Sequence, residues 1–520
     1  MLDRGQMLKQ IKNFPDCWDI VVIGGGATGI GIAIDAASRG YRTVLVEKYD
    51  FGKGTSSRST KLAHGGVRYL QQGNISLVLE ALRERGLLRQ NAPHLVHDLP
   101  FVVPRYDWWE GGFYGFGLKV YDIMAGRQGF GRSRLLSHDE TLARIPTIET
   151  KSLRGGVIYY DGQFDDARLI INMAQTAAEQ GAILVNYAEV TGLLKSDGVV
   201  DGIKVVDLET GEILEIRGKV VVNATGPFAD TIRRLDNPEA KPIISPSQGV
   251  HIVLDRSFLP GDSAIMVPHT DDGRVMFAIP WHNTVVIGTT DTPIDDVPVE
   301  PKPFKEEIDF LLCHAARYLS KDPNESDVLS VFVGIRPLVA SADVESTAAL
   351  SRDHVVHISQ SGLITIAGGK WTTYRKMAQD VVDQAILLGN LEARECVTAS
   401  LPIHGFHKNA ERFGNLSIYG ADAPALQSLL NEKPEYGKRI HPKMPYLIGE
   451  IVWAVRNEMA RTVEDVLSRR TRALLHGART SVEMAPTVAK IMAAELGRDE
   501  SWCKKQLAEY EKIAKGYIVE

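Results

Sequence analysis

The chain has 520 residues, of which 44% are hydrophobic and 24% are charged, and its formal net charge is −6 at pH 7. This composition excludes a disordered polymer, a collagen-like repeat and a disulfide-stabilised miniprotein. The slightly acidic balance does not point to a basic nucleic-acid-binding domain, so no nucleic-acid partner is expected.

The cysteines and the hydropathy pattern indicate where the protein works. The four cysteines, Cys17, Cys313, Cys396 and Cys503, are far apart, and no C-x-x-C pair occurs. Neither a zinc ribbon nor an iron–sulfur cluster is therefore predicted, and no metal is expected. Isolated thiols are typical of a reducing compartment, which predicts a cytoplasmic location. No run of about 18 or more apolar residues is present, so no membrane-spanning helix is predicted.

The first predicted elements form a βαβ unit. A β-branched run at 19–23 predicts a buried strand, and Gly24–Gly29 follows it at once with the pattern G-x-G-x-x-G. Apolar residues at helical spacing come next, and a second strand at 43–46 ends in Glu47, 18 residues after Gly29. In this arrangement Gly24 makes the tight turn, Gly26 admits a pyrophosphate to the backbone, and Gly29 lets the helix pack closely on the sheet.

The same unit predicts how a dinucleotide would be held. The helix N-terminus supplies N–H groups and a positive dipole end for phosphates. Glu47 can accept hydrogen bonds from ribose hydroxyls, and its carboxylate would repel a 2′-phosphate, which disfavours NADP. The fingerprint alone does not distinguish FAD from NAD.

Two later segments favour a flavin. Residues 54–70 contain a run of hydroxyl side chains that leads to a Gly pair, typical of a loop around phosphates and a flat ring. Strand-then-glycine patterns recur at 220–227, 285–291 and 363–375. In the last of these, Thr372 is the predicted N-cap of an apolar-periodic helix. A helix N-terminus there can stabilise negative charge on a reduced flavin, a use that NAD does not have.

At this point the sequence resembles the FAD-dependent glycerol-3-phosphate dehydrogenases, within the D-amino-acid-oxidase-like group. The resemblance rests on GGGATGIGIAIDAASRG (24–40), TSSRSTKLAHGGVRYL (55–70), APHLV (92–96), YYDGQFDDARL (159–169), VNATGP (222–227), IGTTD (287–291), GIRP (334–337), GGKWTTYRKMA (368–378) and RTVEDVLSRRTRALL (461–475). It implies oxidation of sn-glycerol 3-phosphate to dihydroxyacetone phosphate, with hydride passing from C2 to flavin N5. The electrons would then pass to a membrane quinone.

The resemblance also implies site residues. It places the substrate among His64, Arg68, Arg336 and Lys370. The residues predicted to bind the cofactor are Gly24, Gly26, Ala27, Thr28, Gly29, Glu47, Lys48, Thr55, Ser56, Ser57, Lys61, Leu62, Gly65, Gly66, Ala224, Thr225, Gly226, Gly334, Gly369, Lys370, Trp371 and Thr372.

The chemistry of the reaction assigns roles to these side chains. A guanidinium binds the oxygens of a phosphate in a bidentate way, so Arg336 is the predicted phosphate clamp and Arg68 assists it. Removal of the hydroxyl proton needs a base, for which His64 is the first candidate and His251, on a predicted strand, the second. Lys370 can stabilise a developing alkoxide or the reduced flavin.

The dispersed motifs predict an α/β fold with a discontinuous, Rossmann-like FAD-binding domain. Residues 1–95, 160–245 and 335–398 would build this domain. Residues 96–159 and 246–334 would form a mixed-sheet (α+β) substrate cap, and residues 399–520 a helical C-terminal domain. Ile448, Val452, Val455 and Met459 recur at the spacing of an amphipathic helix in that last part.

Two segments could touch a bilayer on its cytoplasmic face. Residues 106–116 contain six aromatic side chains, which suits an interfacial anchor. Residues 438–479 hold nine Lys and Arg against four Asp and Glu, although a solvated helix face is the simpler explanation of this stretch. The resemblance is also compatible with a homodimer.

Three alternative functions remain open from the sequence. The first is a glycerol-3-phosphate oxidase that passes electrons to O₂. The second is an amine oxidase of the wider group, in which the Arg and Lys side chains would hold a carboxylate. The third is a nucleotide-binding regulator without turnover, which would explain the glycine fingerprint but not the coexistence of His64, Arg336 and Lys370.

Overall fold

The computed structural model describes residues 2–66, 75–107, 121, 124, 129–268, 270–271, 273–340 and 354–519. Its helices are α1 Arg4–Asn13, α2 Ala27–Ser38, α3 Ile75–Asn91, α4 His138–Arg144, α5 Asp166–Glu179, α6 Ala229–Asp236, α7 Lys305–Tyr318, α8 Tyr374–Leu388, α9 Ala423–Glu432, α10 Ile448–Asn457, α11 Ala473–His476, α12 Ala478–Leu496 and α13 Glu500–Lys515. Its strands are β1 Trp18–Ile23, β2 Thr43–Val46, β3 Leu62–Ala63, β4 Val96–Arg105, β5 Arg134–Leu136, β6 Gly155–Phe164, β7 Ile183–Val185, β8 Ala188–Ser196, β9 Val199–Asp207, β10 Ile213–Asn223, β11 Ile244–Asp255, β12 Ala264–Val267, β13 Met276–Trp281, β14 Thr284–Gly288, β15 Thr292–Pro293, β16 Val328–Val339, β17 His354–Ile358 and β18 Ile364–Gly368.

The first sheet has eight strands and contains the predicted βαβ unit. Its order is β17-β18-β10-β1-β2-β7, and the hairpin β8–β9 extends from β10. β1 runs parallel to both β10 and β2, and all six of its residues are buried. A parallel strand covered on both faces needs such a continuous apolar run, which is why the sequence identified it. The carboxyl ends of β1 and its two neighbours meet where the strand order reverses, the usual ligand crevice of such sheets.

The second sheet has ten strands and is mostly antiparallel. Its order is β15-β11-β14-β13-β12-β4-β6-β3, with β16 paired to β11 and β5 paired to β6. Three strands of this sheet, β6, β11 and β16, run across the boundaries predicted at 159/160, 245/246 and 334/335. A boundary placed by motifs does not detect a strand that continues through it. The division of the chain into domains stays a prediction.

The C-terminal helices pack against the second sheet. One buried apolar cluster joins Val253, Val286 and Phe332 of the sheet to side chains from α10, α12 and the segment between them. The amphipathic helix predicted from Ile448 is α10, which ends at Asn457, before Met459. Within the described part of the chain, no helix is both long and apolar enough to cross a bilayer.

His404, which lies in the segment after α8, forms ion pairs with two carboxylates. Its ring contacts Glu179, at the end of α5, at 2.5 Å and Asp422, before α9, at 2.7 Å. Burial opposes protonation of the ring, but these two carboxylates outweigh it and raise the pKa of His404 to about 9. The protonated imidazole therefore forms two ion pairs in the folded state at neutral pH.

These ion pairs predict a pH-dependent stability. Because the folded-state pKa lies above the unfolded value near 6.5, the stabilisation is complete below about pH 6.5 and is lost as the pH rises through about 9. The loss should amount to about 2 kcal/mol, after allowance for the partly exposed Glu179. Thermal unfolding across this range should show a steeper decline in the wild type than in His404→Gln. Parallel declines would contradict the assignment.

Candidate active site

A cavity of about 330 Å³ opens at the crevice of the first sheet. Ile23, Val46 and Ala224 line it at the carboxyl ends of β1, β2 and β10. The predicted cofactor residues on its wall are Gly24, Gly26, Ala27, Thr28, Glu47, Lys48, Thr55, Ser56, Ala224, Thr225, Gly226, Gly369, Lys370 and Trp371. Residues from three distant parts of the sequence therefore meet at one cavity.

The other predicted cofactor residues lie outside this wall. Gly29, Ser57, Lys61, Leu62, Gly65, Gly66, Gly334 and Thr372 are not among the lining residues. Gly29 acts through packing, because a Cβ there would come within 1.9 Å of the Gly24 carbonyl oxygen. Gly334 lies in β16, where a Cβ would come within 2.7 Å of the Arg58 carbonyl oxygen.

The glycine fingerprint has the geometry that a dinucleotide requires. Gly24 has φ +109°, and a Cβ there would lie 2.7 Å from the Ala224 carbonyl oxygen, so only glycine fits. Gly54 and Gly226 line the cavity, and a Cβ on either would meet no other atom within 4 Å. The backbone is therefore open to a ligand at both places. Gly26 and Thr28 bring the N-terminus of α2 to the same wall.

Glu47 is fixed by the backbone around it. Its carboxylate oxygens accept hydrogen bonds from Gly25 N at 2.6 Å and from Tyr49 N at 2.8 Å. Burial raises the pKa of Glu47, and the two backbone donors oppose that rise. Each oxygen retains a second lone pair, so the carboxylate can still accept hydrogen bonds from ribose hydroxyls.

The hydroxyl run is hydrogen-bonded to three other segments at or near the cavity. Ser56 Oγ accepts a hydrogen bond from Ala27 N at 3.0 Å, and the Ser56 carbonyl accepts one from Trp371 Nε1 at 2.8 Å. Thr55 Oγ1 donates to the carbonyl of Ile335, beside Arg336, at 2.6 Å. This loop thus links the fingerprint helix to both later glycine motifs.

The predicted N-cap at Thr372 is wrong. Helix α8 begins at Tyr374, Thr373 occupies the N-cap position, and no side chain caps the helix. A 3₁₀ turn, Trp371–Thr373, stands between the Gly pair and the helix. The turn delays the helix start and buries Thr372, with Lys370 before the turn and on the cavity wall.

Arg336 lies in a polar socket and is not itself one of the residues that line the cavity. Its guanidinium contacts Asp291 at 3.1 Å and also donates to Thr289 Oγ1 at 3.2 Å and to the Thr290 carbonyl at 2.9 Å. The neighbouring Pro337 lines the cavity. The side chain is 21% exposed, so part of the guanidinium faces solvent-accessible space. Fixed in this way, the guanidinium can hold a positive charge beside a bound anion without a large ordering cost.

His251 lies on the same face of the β11–β16 pair as Arg336. His251 pairs with Phe332, and Ser247 with Arg336, an even spacing that directs both side chains to one face. The imidazole stacks on Phe332 with ring centroids 4.7 Å apart. Its Nε2 lies 2.9 Å from Thr60 Oγ1. Burial, and then the charges of Lys61 and Arg336, hold the pKa of His251 well below its usual value, so this imidazole is neutral.

His64 follows β3 directly and is half-buried. The next residue, Gly65, donates its N–H to Tyr121 Oη at 3.0 Å and to Asp161 Oδ1 at 3.3 Å. Asp161 is itself held by Arg85 at 2.5 Å. A rigid buried network therefore fixes the backbone that carries His64. The predicted phosphate-assisting residue Arg68 lies outside the described residues.

Lys61 has a structural role that the sequence did not predict. Its ammonium contacts Asp166 at 2.7 Å and the Ser57 carbonyl at 3.0 Å, and the side chain is fully buried. Burial lowers the pKa of Lys61 to about 8, although Asp166 opposes that change. The residue holds the loop between Ser57 and His64 rather than lining the cavity.

Several wall residues were not found by sequence reasoning. They include Lys53, Gly54, Ala188, Glu189, Val190, Val299 and Met377. Gly54 is the first residue of the segment 54–70 described above, and Lys53 comes directly before it, so a segment that began one residue earlier would have included both. Residues 188–190 begin an ordinary strand and Val299 lies in a loop, so no local pattern marks either.

Comparisons with known proteins agree with this geometry. A model of FAD-dependent oxidoreductases matches residues 19–375, and a model of the C-terminal domain of alpha-glycerophosphate oxidase matches residues 360–503. The chain is 42% identical to the mitochondrial glycerol-3-phosphate dehydrogenase of Mus musculus, over 96% of this chain and 73% of the relative. It is 41% identical to the Homo sapiens protein of the same name, over 94% and 72%.

Solved structures give the same result. The glycerol-3-phosphate dehydrogenase of Bacillus halodurans, complexed with FAD, superposes with a TM-score of 0.81 at 30% identity, over 99% of this chain and 97% of that one. An L-alpha-glycerophosphate oxidase from Mycoplasma pneumoniae, at 17% identity and a TM-score of 0.56, shares the fold alone. The predicted fold class, with its helical C-terminal region, is confirmed.

Proposed function

The chain belongs to the family of FAD-dependent glycerol-3-phosphate dehydrogenases, and from this premise we propose how its residues perform the reaction. The enzyme oxidises sn-glycerol 3-phosphate to dihydroxyacetone phosphate with FAD as its cofactor. The named relatives favour this activity over the oxidase alternative. The observation that carries our assignment of residues is the socket of Arg336, which holds a guanidinium next to Pro337, a residue that lines the cavity at the glycine fingerprint.

Different residues of the cavity wall would bind different parts of FAD. The backbone at Gly24 and Gly26 and the N-terminal amides of α2 would bind the pyrophosphate. Glu47 would accept hydrogen bonds from the ribose hydroxyls. Ser56 and Trp371 would border the flavin end, where Lys370 also lies. When bound, FAD supplies N5 as the hydride acceptor.

The substrate is held and deprotonated by the chain itself. Arg336 binds the phosphate and thereby holds C2 of the substrate in a fixed position for reaction. His64 takes the proton from the C2 hydroxyl, and Lys370 stabilises the negative charge that develops on that oxygen. His251, neutral and stacked on Phe332, orients the loop through Thr60.

The substrate assignment is tested by anaerobic mixing. The holoenzyme should lose its visible flavin absorption when sn-glycerol 3-phosphate is added, and it should keep it with glycerol or with D-alanine. Glycerol lacks the phosphate that Arg336 would bind, and D-alanine lacks both the phosphate and the C2 hydroxyl from which the proton is removed. No bleaching with glycerol 3-phosphate would contradict the assignment.

We propose a membrane quinone as the electron acceptor and the cytoplasmic face of a membrane as the location. The described cysteines are free thiols, which suits a reducing compartment. The aromatic segment 106–116 is the part that we assign to the bilayer, although residues 108–116 lie outside the described residues. The basic stretch 438–479 does not support this assignment, because Arg469, Arg470 and Arg472 are buried in ion pairs. A homodimer stays a prediction.

A further inference from the structure

The motif at 461–475 has no place in the proposed chemistry, yet it contains some of the most deeply buried charges of the described chain. Arg469 and Arg470 are each 2% exposed, and they lie in a π-helical turn, Asp465–Arg470. This turn belongs to the helices α9–α13 and the segments between them, which we call the C-terminal unit. Residues 461–475 do not line the FAD cavity. Buried cations are costly to place and call for specific partners.

Their main partner belongs to the loop on the cavity wall. Arg470 binds Asp50 with both terminal nitrogens, at 2.6 and 2.9 Å, and Arg469 Nε donates to the same carboxylate at 2.5 Å. Asp50 is fully buried, and Tyr49 and Gly52 on either side line the cavity. Although burial disfavours its charge, the two arginines outweigh that effect and lower the pKa of Asp50.

A second chain of contacts reaches the same loop through Lys53. Glu464 accepts hydrogen bonds from Arg469 at 2.7 Å and from Lys53, whose side chain lines the cavity. Lys53 also contacts Glu300 at 3.1 Å, and Glu300 in turn binds Arg58 at 2.8 Å. The loop is thus held on one side by the C-terminal unit and on the other by the segment after Val299.

We propose that this ion cluster, formed by Asp50, Lys53, Glu300, Glu464, Arg469 and Arg470, makes the C-terminal unit a determinant of FAD affinity. A loop that is already ordered does not pay its ordering cost when the ligand binds. Removal of one partner leaves an uncompensated buried charge, which favours a displaced loop. By linkage, FAD and the C-terminal contacts must stabilise each other equally. Glu464 and Asp50 are therefore positioning residues, since neither lines the cavity.

The test measures FAD release from the full-length holoenzyme on dilution, followed by flavin fluorescence. Glu464→Gln and Asp50→Asn should each raise the dissociation constant of FAD by about tenfold or more, within the usual range of coupling between sites. The matched control is Asp35→Asn, which removes a fully buried carboxylate that pairs with Arg39 at 2.6 Å near the C-terminal end of α2, and neither residue lines the cavity. Both variants within twofold of the control would overturn the proposal.

A double-mutant cycle separates positioning from general destabilisation. If Glu464 acts through Lys53, then Glu464→Gln combined with Lys53→Met should release FAD no faster than Lys53→Met alone. Lys53→Arg, which keeps the cation, should retain most of the wild-type affinity. If the losses of FAD affinity in Glu464→Gln and Lys53→Met were fully additive in the double variant, Glu464 would not act through Lys53.

The wild-type protein provides a further measurement that needs no variant to fold. Hydrogen exchange of backbone amides in 458–472 should slow when FAD is added back to FAD-depleted enzyme, although none of these residues lines the cavity. Unchanged exchange there, with protection at 24–29 as the internal reference, would overturn the proposal. Because neither readout involves turnover, failure here leaves the substrate assignment untouched.

Discussion

Replacement of His64 by alanine is expected to lower turnover by at least tenfold, and by as much as about 10²–10⁴-fold, while the purified protein keeps its flavin. The reason is that a neutral imidazole takes the hydroxyl proton as hydride leaves C2, and alanine has no group to replace it. FAD should remain bound, because His64 does not line the cavity. Rapid mixing under anaerobic conditions measures the reductive step directly, and added imidazole should restore part of the rate.

The control is His314→Gln, which changes a buried histidine that contacts Asp271 and Phe310 in a different part of the fold. The acid limb of the kcat/KM profile should persist in this control and disappear in His64→Ala. Near-normal turnover of a yellow His64→Ala protein would reject His64 as the base. Loss of the limb in His251→Asn instead would move that role to His251, despite the depressed pKa of its buried ring.

Replacement of Arg336 by alanine is expected to lower kcat/KM for glycerol 3-phosphate by about 30- to 1000-fold, mainly through KM. Loss of a positive charge that pairs with a phosphate at a partly exposed site costs roughly 2–4 kcal/mol, and 1.4 kcal/mol corresponds to tenfold. The preference for the phosphorylated substrate over glycerol should narrow by a similar factor. Arg336→Lys should recover only part of the loss, because a lysine lacks the planar fork.

One confounding effect has to be removed from this measurement. Without Arg336, Asp291 keeps its charge near the substrate and would itself repel a phosphate. The double variant Arg336→Ala/Asp291→Asn isolates the lost attraction, and Arg317→Ala, whose guanidinium pairs with exposed Asp271, is the matched surface control. An unchanged ratio of kcat/KM between glycerol 3-phosphate and glycerol would place the phosphate elsewhere.

The sequence predicted those parts of the site that depend on local geometry. The strand at 19–23, the turn at Gly24 and the acid at Glu47 follow one another along the chain, and each has a backbone reason for its residue type. Arg336 and Asp291 each belong to a short motif quoted above, but their pairing was not predicted, because the two meet only when β16 lies beside β11.

The parts that the sequence did not reveal depend on distant pairs. Asp50 and Arg469 are 419 residues apart, and a carboxylate that follows a tyrosine in a loop carries no sign of such a partner. The start of α8 was misplaced by one residue, since Thr372 and Thr373 are equally good N-cap residue types. Local propensity cannot rank them when a 3₁₀ turn decides the outcome.

The ion pairs of Asp50 also constrain the order of events at the ribosome. The fingerprint strand and helix leave the exit tunnel early, but Asp50 must wait for Arg469 and Arg470, which are translated 419 and 420 residues later. Until then a bare carboxylate and an ammonium on the loop favour water over burial. We therefore expect the nucleotide site to be completed only after these arginines have emerged, and a chain truncated before residue 469 should bind the cofactor poorly.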